Sequence, residues 1–129
     1  MPLVRIDVQE GRTPEQLRRL ADVVQEVMLE VFEAPDRHRY QIITVHPVGH
    51  IIAEDTNLGL ERTDELVVLQ IFQQGRTDDH KRAAYARLAE RLEVEVGLRP
   101  SDLIVSVVAN ERADWSFGLG RAQFLDGDL

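Results

Sequence analysis

Residues 66–77 read LVVLQIFQQGRT, and residues 2–13 read PLVRIDVQEGRT. The two stretches end in the same Gly-Arg-Thr, at Gly11-Arg12-Thr13 and Gly75-Arg76-Thr77, a shift of 64. Before each turn stands a run of branched apolar residues with strand character, Leu3–Val8 and Leu66–Phe72. After each turn stands a helical pattern. Leu17, Leu20, Ala21, Val24, Val27, Met28 and Val31 follow helical spacing, as do Ala84, Leu88 and Leu92. Thr13 is a suitable N-cap, Pro14 suits the first helical position, and Gln16 completes a capping box. Asp78 and Asp79 sit where the helix dipole favours acidic residues.

A loop with a proline, Pro35 or Pro100, closes each helix pattern and leads to a second strand, Gln41–Val45 or Leu103–Val107. The chain is thus two βαβ units in tandem, about residues 2–46 and 66–109, followed by a tail over 110–129. We read residues 1–129 as a single α/β domain. Each crossover should be right-handed, which makes the strands of each unit parallel. The expected fold is a four-stranded mixed sheet covered by two helices on one face. The other face lacks a cover. Because Leu66–Phe72 is apolar on both sides apart from Gln70, the expectation is oligomerisation that buries it.

The chain is long enough for a core without staples. Fifteen Lys and Arg against 23 Asp and Glu give a formal charge of −8, which disfavours nucleic-acid and anionic-membrane partners. The absence of cysteine excludes disulfides, thiol nucleophiles and thiolate-held metals. Arg5, Asp7, Glu10 and Arg12 interrupt the first twenty residues, so neither a signal peptide nor a membrane span is expected, and the cytoplasm is the expected compartment. His46 and His50 are four apart, but Pro47 and Gly49 oppose the helix that would align them. No metal site and no cofactor are expected.

Pro2 is the residue with distinctive chemistry. Removal of Met1, expected before so small a residue, frees a secondary amine that can accept a proton or attack a carbonyl. A dry pocket with nearby cations would depress its proton affinity. Pro2, the Gly-Arg-Thr turn, Pro35-Asp36-Arg37 with Arg39-Tyr40-Gln41, Glu54–Gly59, and Asp114-Trp115-Ser116-Phe117-Gly118 with Gly120–Phe124 together resemble the tautomerase superfamily. Its short members, such as 4-oxalocrotonate tautomerase, begin with proline. Longer members fuse two units, and the resemblance is strongest to the malonate semialdehyde decarboxylase group.

That resemblance implies a homotrimer with catalytic Pro2 and with Arg76 binding the carboxylate of a small substrate. It also implies that Trp115, Phe117 and Phe124 wall the site. A guanidinium suits that task because it holds a planar carboxylate bidentately. Two positions depart from the decarboxylase pattern: Gln74 stands where a second arginine is expected, and His38 where a catalytic aspartate is expected. Both are read as substrate-binding. The expected activity is keto–enol proton transfer on a small 2-oxo acid. The rivals are decarboxylation of malonate semialdehyde or hydration of an unsaturated acid, and a non-catalytic trimeric binding protein.

Overall fold

The computed structural model describes residues 2–129. Four strands, β1 (Leu3–Gln9), β2 (Tyr40–His46), β3 (Val67–Gln74) and β4 (Leu103–Asn110), form one sheet in the order β2-β1-β3-β4. Within each half the strands are parallel, β1 with β2 and β3 with β4, while β1 and β3 join the halves antiparallel. The helices α1 (Pro14–Val31) and α2 (Asp78–Val96) pack against each other and cover one face. This is the mixed α/β sheet that the repeat predicts. A four-residue helix, α3 (Gln123–Asp126), ends the tail.

Local chemistry starts and stops the helices where the sequence says it should. The Thr13 hydroxyl accepts from the Gln16 N–H at 3.2 Å, and the Gln16 side chain accepts from the Thr13 N–H at 2.9 Å. Thr77 caps α2 by accepting from the His80 N–H at 3.1 Å. Gly97 then ends α2 at φ 69°, a left-handed conformation that a side chain would oppose. The Glu54–Gly59 segment is a turn built by Asp55, whose carboxylate accepts from the N–H groups of Asn57 and Gly59.

Alternation along the strands decides which side chains enter the core. Val4, Ile6 and Val8 of β1 face the helices and are buried, as are Val67, Leu69, Ile71 and Gln73 of β3. They meet Leu20, Val24, Val27 and Met28 of α1 and Ala84, Leu88 and Leu92 of α2. The shift of 64 that aligns the two Gly-Arg-Thr turns therefore does not align the strands. The core-facing sets Val4, Ile6, Val8 and Val67, Leu69, Ile71, Gln73 are related by an odd shift, so the strands sit one residue out of phase with the turns. Gln73 is the last inward-facing position of β3 before its turn. β3 also begins at Val67 rather than at Leu66, which is buried just ahead of it.

The other sheet face carries Leu3, Arg5 and Asp7 of β1, Tyr40, Ile42, Thr44 and His46 of β2, Val68, Gln70 and Phe72 of β3, and Ile104, Ser106 and Val108 of β4. Ile42 and Val108 are 43% and 42% exposed. A mixed row of apolar and charged groups therefore lies open, with His46 Nε2 2.7 Å from Asp7 Oδ1. Among the described residues no helix is long and apolar enough to cross a membrane.

Ion pairs tie the exposed sides of α1 and α2 together. Arg91 binds Glu26 at 2.8 Å and also Glu95, Arg19 binds Glu95, and Arg87 binds Glu30 at 3.0 Å. The hydrogen bond from Arg91 is the main cause that holds the Glu95 carboxyl below its ordinary range. The folded state thus prefers the deprotonated form. Its stabilisation is present above the ordinary carboxylate range and disappears as pH falls through the lower, folded value. Glu95→Gln should lower Tm at pH 7, and thermal scans should show variant and wild type converging in acid, once pH lies below that lowered folded value. A gap of equal size at both pH values contradicts this linkage.

Candidate active site

Extending the β1–β3 register by one step places Pro2 opposite Gln73, since Leu3 pairs with Phe72. Pro2 is buried and shares its side of the strand with Val4 and Ile6, the side under the helices. The same end of the sheet collects the other sequence-predicted residues. Gln74 closes β3 and pairs with Asn110 of β4. Arg76 follows two residues later, and His38 lies two residues before β2. The free amine expected of Pro2 involves Met1, which is outside the described residues.

Arg76 is half-buried and has structural partners of its own. Its Nη2 donates to the Phe32 carbonyl at 3.1 Å, and its Nη1 donates to the carbonyls of Gln74 at 3.2 Å and Gly75 at 3.3 Å. The guanidinium carbon lies 5.9 Å from the Phe32 ring centroid. Phe32 is the C-cap of α1, so the cation satisfies a helix-end carbonyl at the negative end of the dipole. These contacts hold the guanidinium beside the start of β1. A guanidinium has five N–H donors, and the three carbonyl bonds named here leave the Nε–H and one Nη2–H for another acceptor.

The aromatic residues of the tail form one cluster centred on Phe117. Trp115 stacks on it with centroids 5.4 Å apart, Tyr40 stacks at 5.6 Å, and Phe124 meets it edge-on at 5.4 Å. The His38 ring lies 6.3 Å from the same ring, tilted. Two polar ties fix the cluster. Trp115 Nε1 donates to Asn110 Oδ1 at 3.0 Å, and the Phe117 N–H donates to Gln123 Oε1 at 2.9 Å. Tyr40 pairs with Leu3, the neighbour of Pro2, so the cluster stands at the Pro2 end of the sheet. Asn110 and Gln73 also belong to this end and were not singled out from the sequence, and Tyr40 was noted there only as part of the family resemblance. Strand parity and a tail ring able to reach β2 were the signals available.

A cleft of about 550 Å³ lies at the opposite end of the β1–β3 pair, lined by Gln9, Gly11, Arg12, Arg19, Glu65 and Glu95 among others. It contains none of the predicted site residues. Its Arg12 donates to the Glu65 carbonyl at 2.6 Å, and burial pushes the guanidinium pKa down against the opposing pull of Glu65 and Asp102. Arg12 is thus used by the fold, and Leu66 stands near it where the other half has Pro2. Among the described residues no group of three or more His, Asp or Glu could hold a metal ion.

At this end of the sheet stand a buried strand-initial proline, a half-buried guanidinium and an aromatic cluster. Residues 38–118 match a family described as Tautomerase enzyme, and residues 2–61 match a second family of the same description. The chain is 52% identical to the protein named "Probable tautomerase YrdN" of Bacillus subtilis (strain 168), over 100% of both chains. It is 40% identical to a solved malonate semialdehyde decarboxylase, with a TM-score of 0.95 and 98% of each chain covered. A fused 4-OT solved as a symmetric trimer shares the fold at 17% identity, with a TM-score of 0.78 over 97% of this chain and 98% of that one. The chain belongs to the tautomerase family.

The Phe117 cluster gives a direct readout, because Trp115 is the one tryptophan of the sequence. Phe117→Ala should cost roughly 1–3 kcal/mol and shift Trp115 emission to the red as the ring loses its stacking partner. Unchanged emission and Tm contradict the packing described. Arg76→Ala should cost about 1–2 kcal/mol, because it leaves helix-end and turn carbonyls short of a donor. Chemical denaturation measures this, and an unchanged midpoint contradicts the capping role.

Proposed function

We propose that the chain is an amino-terminal-proline tautomerase acting on a small 2-oxo acid or its enol, of phenylpyruvate or hydroxymuconate type. The reading is carried by the convergence of Pro2, Arg76 and the aromatic wall at one end of the sheet. In this scheme Pro2, freed of Met1 and neutral, takes a proton from the enol hydroxyl or the α-carbon. The electron pair shifts through the enol, and the same proton returns at the other end of the O–C–C unit, the α-carbon or the oxygen, so no other reactant is consumed. Arg76 holds the carboxylate through its remaining donor capacity. Gln74 and His38 hydrogen-bond the carbonyl or enol oxygen, where charge develops. Trp115, Phe117 and Phe124 exclude water, which favours the uncharged amine.

The active form is a homotrimer. Its support is the half-open sheet face, with Ile42 and Val108 exposed, and the shared fold with a trimeric fused 4-OT. A second reading keeps the site and changes the reaction. The 40% identity to malonate semialdehyde decarboxylase favours decarboxylation, with Pro2 cationic and polarising the carbonyl. Against it stands the chemistry at two positions. Gln74 supplies no charge, and neutral His38 supplies no fixed negative charge to orient water.

A pH–rate profile on methionine-free protein separates these. Tautomerisation should rise with pH as Pro2 loses its proton, and decarboxylation should fall. Pro2→Ala should lower kcat/KM by about 10²–10⁴-fold and Arg76→Ala by about 10²-fold. Release of carbon dioxide from malonate semialdehyde, faster than any enol is turned over, overturns the first reading. Binding of 2-oxo acids without turnover of any substrate points instead to a binding protein.

A further inference from the structure

Gln73 is fully buried, and neither its Oε1 nor its Nε2 has a hydrogen-bond partner among the described residues. An amide in that state is costly, because both its donor and its acceptor are stripped of water without replacement. Leucine would fill the same space without that penalty. Gln73 is also the last inward-facing position of β3 before the Gly-Arg-Thr turn. Its neighbours across the sheet are Ala109 on one side and, by register, Pro2 on the other. Residues directly opposite in an antiparallel pair have Cβ atoms roughly 4.5–5.5 Å apart, so the amide of one is within reach of the ring nitrogen of the other.

We propose that Gln73 is a positioning residue for Pro2: its Oε1 accepts a hydrogen bond from the protonated proline nitrogen and holds the proton between uptake and return. The proposal rests on the reading of Pro2 as the base. Its chemistry follows from inventory. A neutral proline amine has one N–H and the protonated form has two, whereas the amide oxygen can only accept. The contact is therefore stronger to the cation, and Gln73 raises the proton affinity of Pro2. This opposes the dry surroundings and nearby cations, which lower it. The charged and titratable groups bordering this end are Glu33, Asp36, Arg37, His38 and Arg39 between α1 and β2, Tyr40 at the start of β2, Arg76 after β3, and Glu111, Arg112 and Asp114 in the tail. Arg39 is already paired with Asp22 at 2.7 Å. None of these is altered by a change at Gln73.

The test is the titration of Pro2 in methionine-free protein, followed by nitrogen-15 NMR and by the pH–rate profile with phenylpyruvate enol. Gln73→Leu should move the Pro2 midpoint down by about one pH unit, a tenfold loss of proton affinity, while raising Tm by about 3 °C. Gln73→Glu should move the midpoint up, since a carboxylate holds the cation more strongly, and it tests the same contact if the leucine variant folds poorly. A shift below roughly 0.3 unit in both variants overturns the proposal and leaves Gln73 as an inert buried amide. The NMR arm needs no turnover. A wild type with a titrating proline but no activity would therefore sink the catalytic reading, and with it the proton-holding role, while the variants' shifts still decide whether the Gln73–Pro2 contact exists.

Discussion

The antiparallel pairing of β1 with β3 is the constraint on which the rest of the molecule depends. Each βαβ half has one helix and two strands, too little to enclose a core alone. Joined through Leu3–Phe72, Val4–Ile71 and their neighbours, the halves share one sheet, and both helices bury a common set of Val, Ile and Leu side chains. Antiparallel pairing also brings the start of one half beside the end of the other half's first strand. The beginning of β1 therefore lies beside Gln73, Gln74 and the Arg76 turn. The two ends of the pair are chemically unequal, with Pro2 at one and Leu66 at the other. Each end holds a guanidinium tied to backbone carbonyls, Arg76 at one and Arg12 at the other, and the Phe117 cluster stands at the Pro2 end.

Local signals were legible in the sequence where backbone chemistry is local. Thr13, Pro14 and Gln16 state the start of α1, Thr77 states that of α2, and helical spacing names the buried stripes. The strands' existence and pairing class follow from the repeat. Their relative phase does not. The identical Gly-Arg-Thr triplets suggest a shift of 64, whereas burial requires an odd one. Leu66–Phe72 is apolar on both sides, so alternation cannot report which side is inward. That ambiguity concealed Gln73, whose burial is a matter of parity alone.

The tail shows the opposite case. Nothing in the spacing of Trp115, Phe117 and Phe124 fixes where they pack, and they were placed near the site by resemblance. The structure supplies the physical reason in Asn110 and Gln123, which tether Trp115 and Phe117, and in Tyr40, which extends the stack to β2. Arg76 carries a similar lesson. Its half-buried guanidinium completes the end of α1 and thereby becomes rigid, and rigidity is what a group awaiting a carboxylate requires. Under the proposed function, structural and binding duties fall on one side chain, so stability and ligand affinity should be measured together for any variant at this position.

The central claim is that Pro2 presents a basic nitrogen inside this end of the sheet. Nitrogen-15 NMR titration of methionine-free protein labelled at proline tests it most directly. The account predicts a Pro2 signal that titrates below the ordinary range of an amino terminus, with a 2-oxo acid such as phenylpyruvate perturbing it in wild type but not in Arg76→Ala. A nitrogen that does not titrate, or one that titrates as in a free peptide and ignores the ligand, contradicts the account.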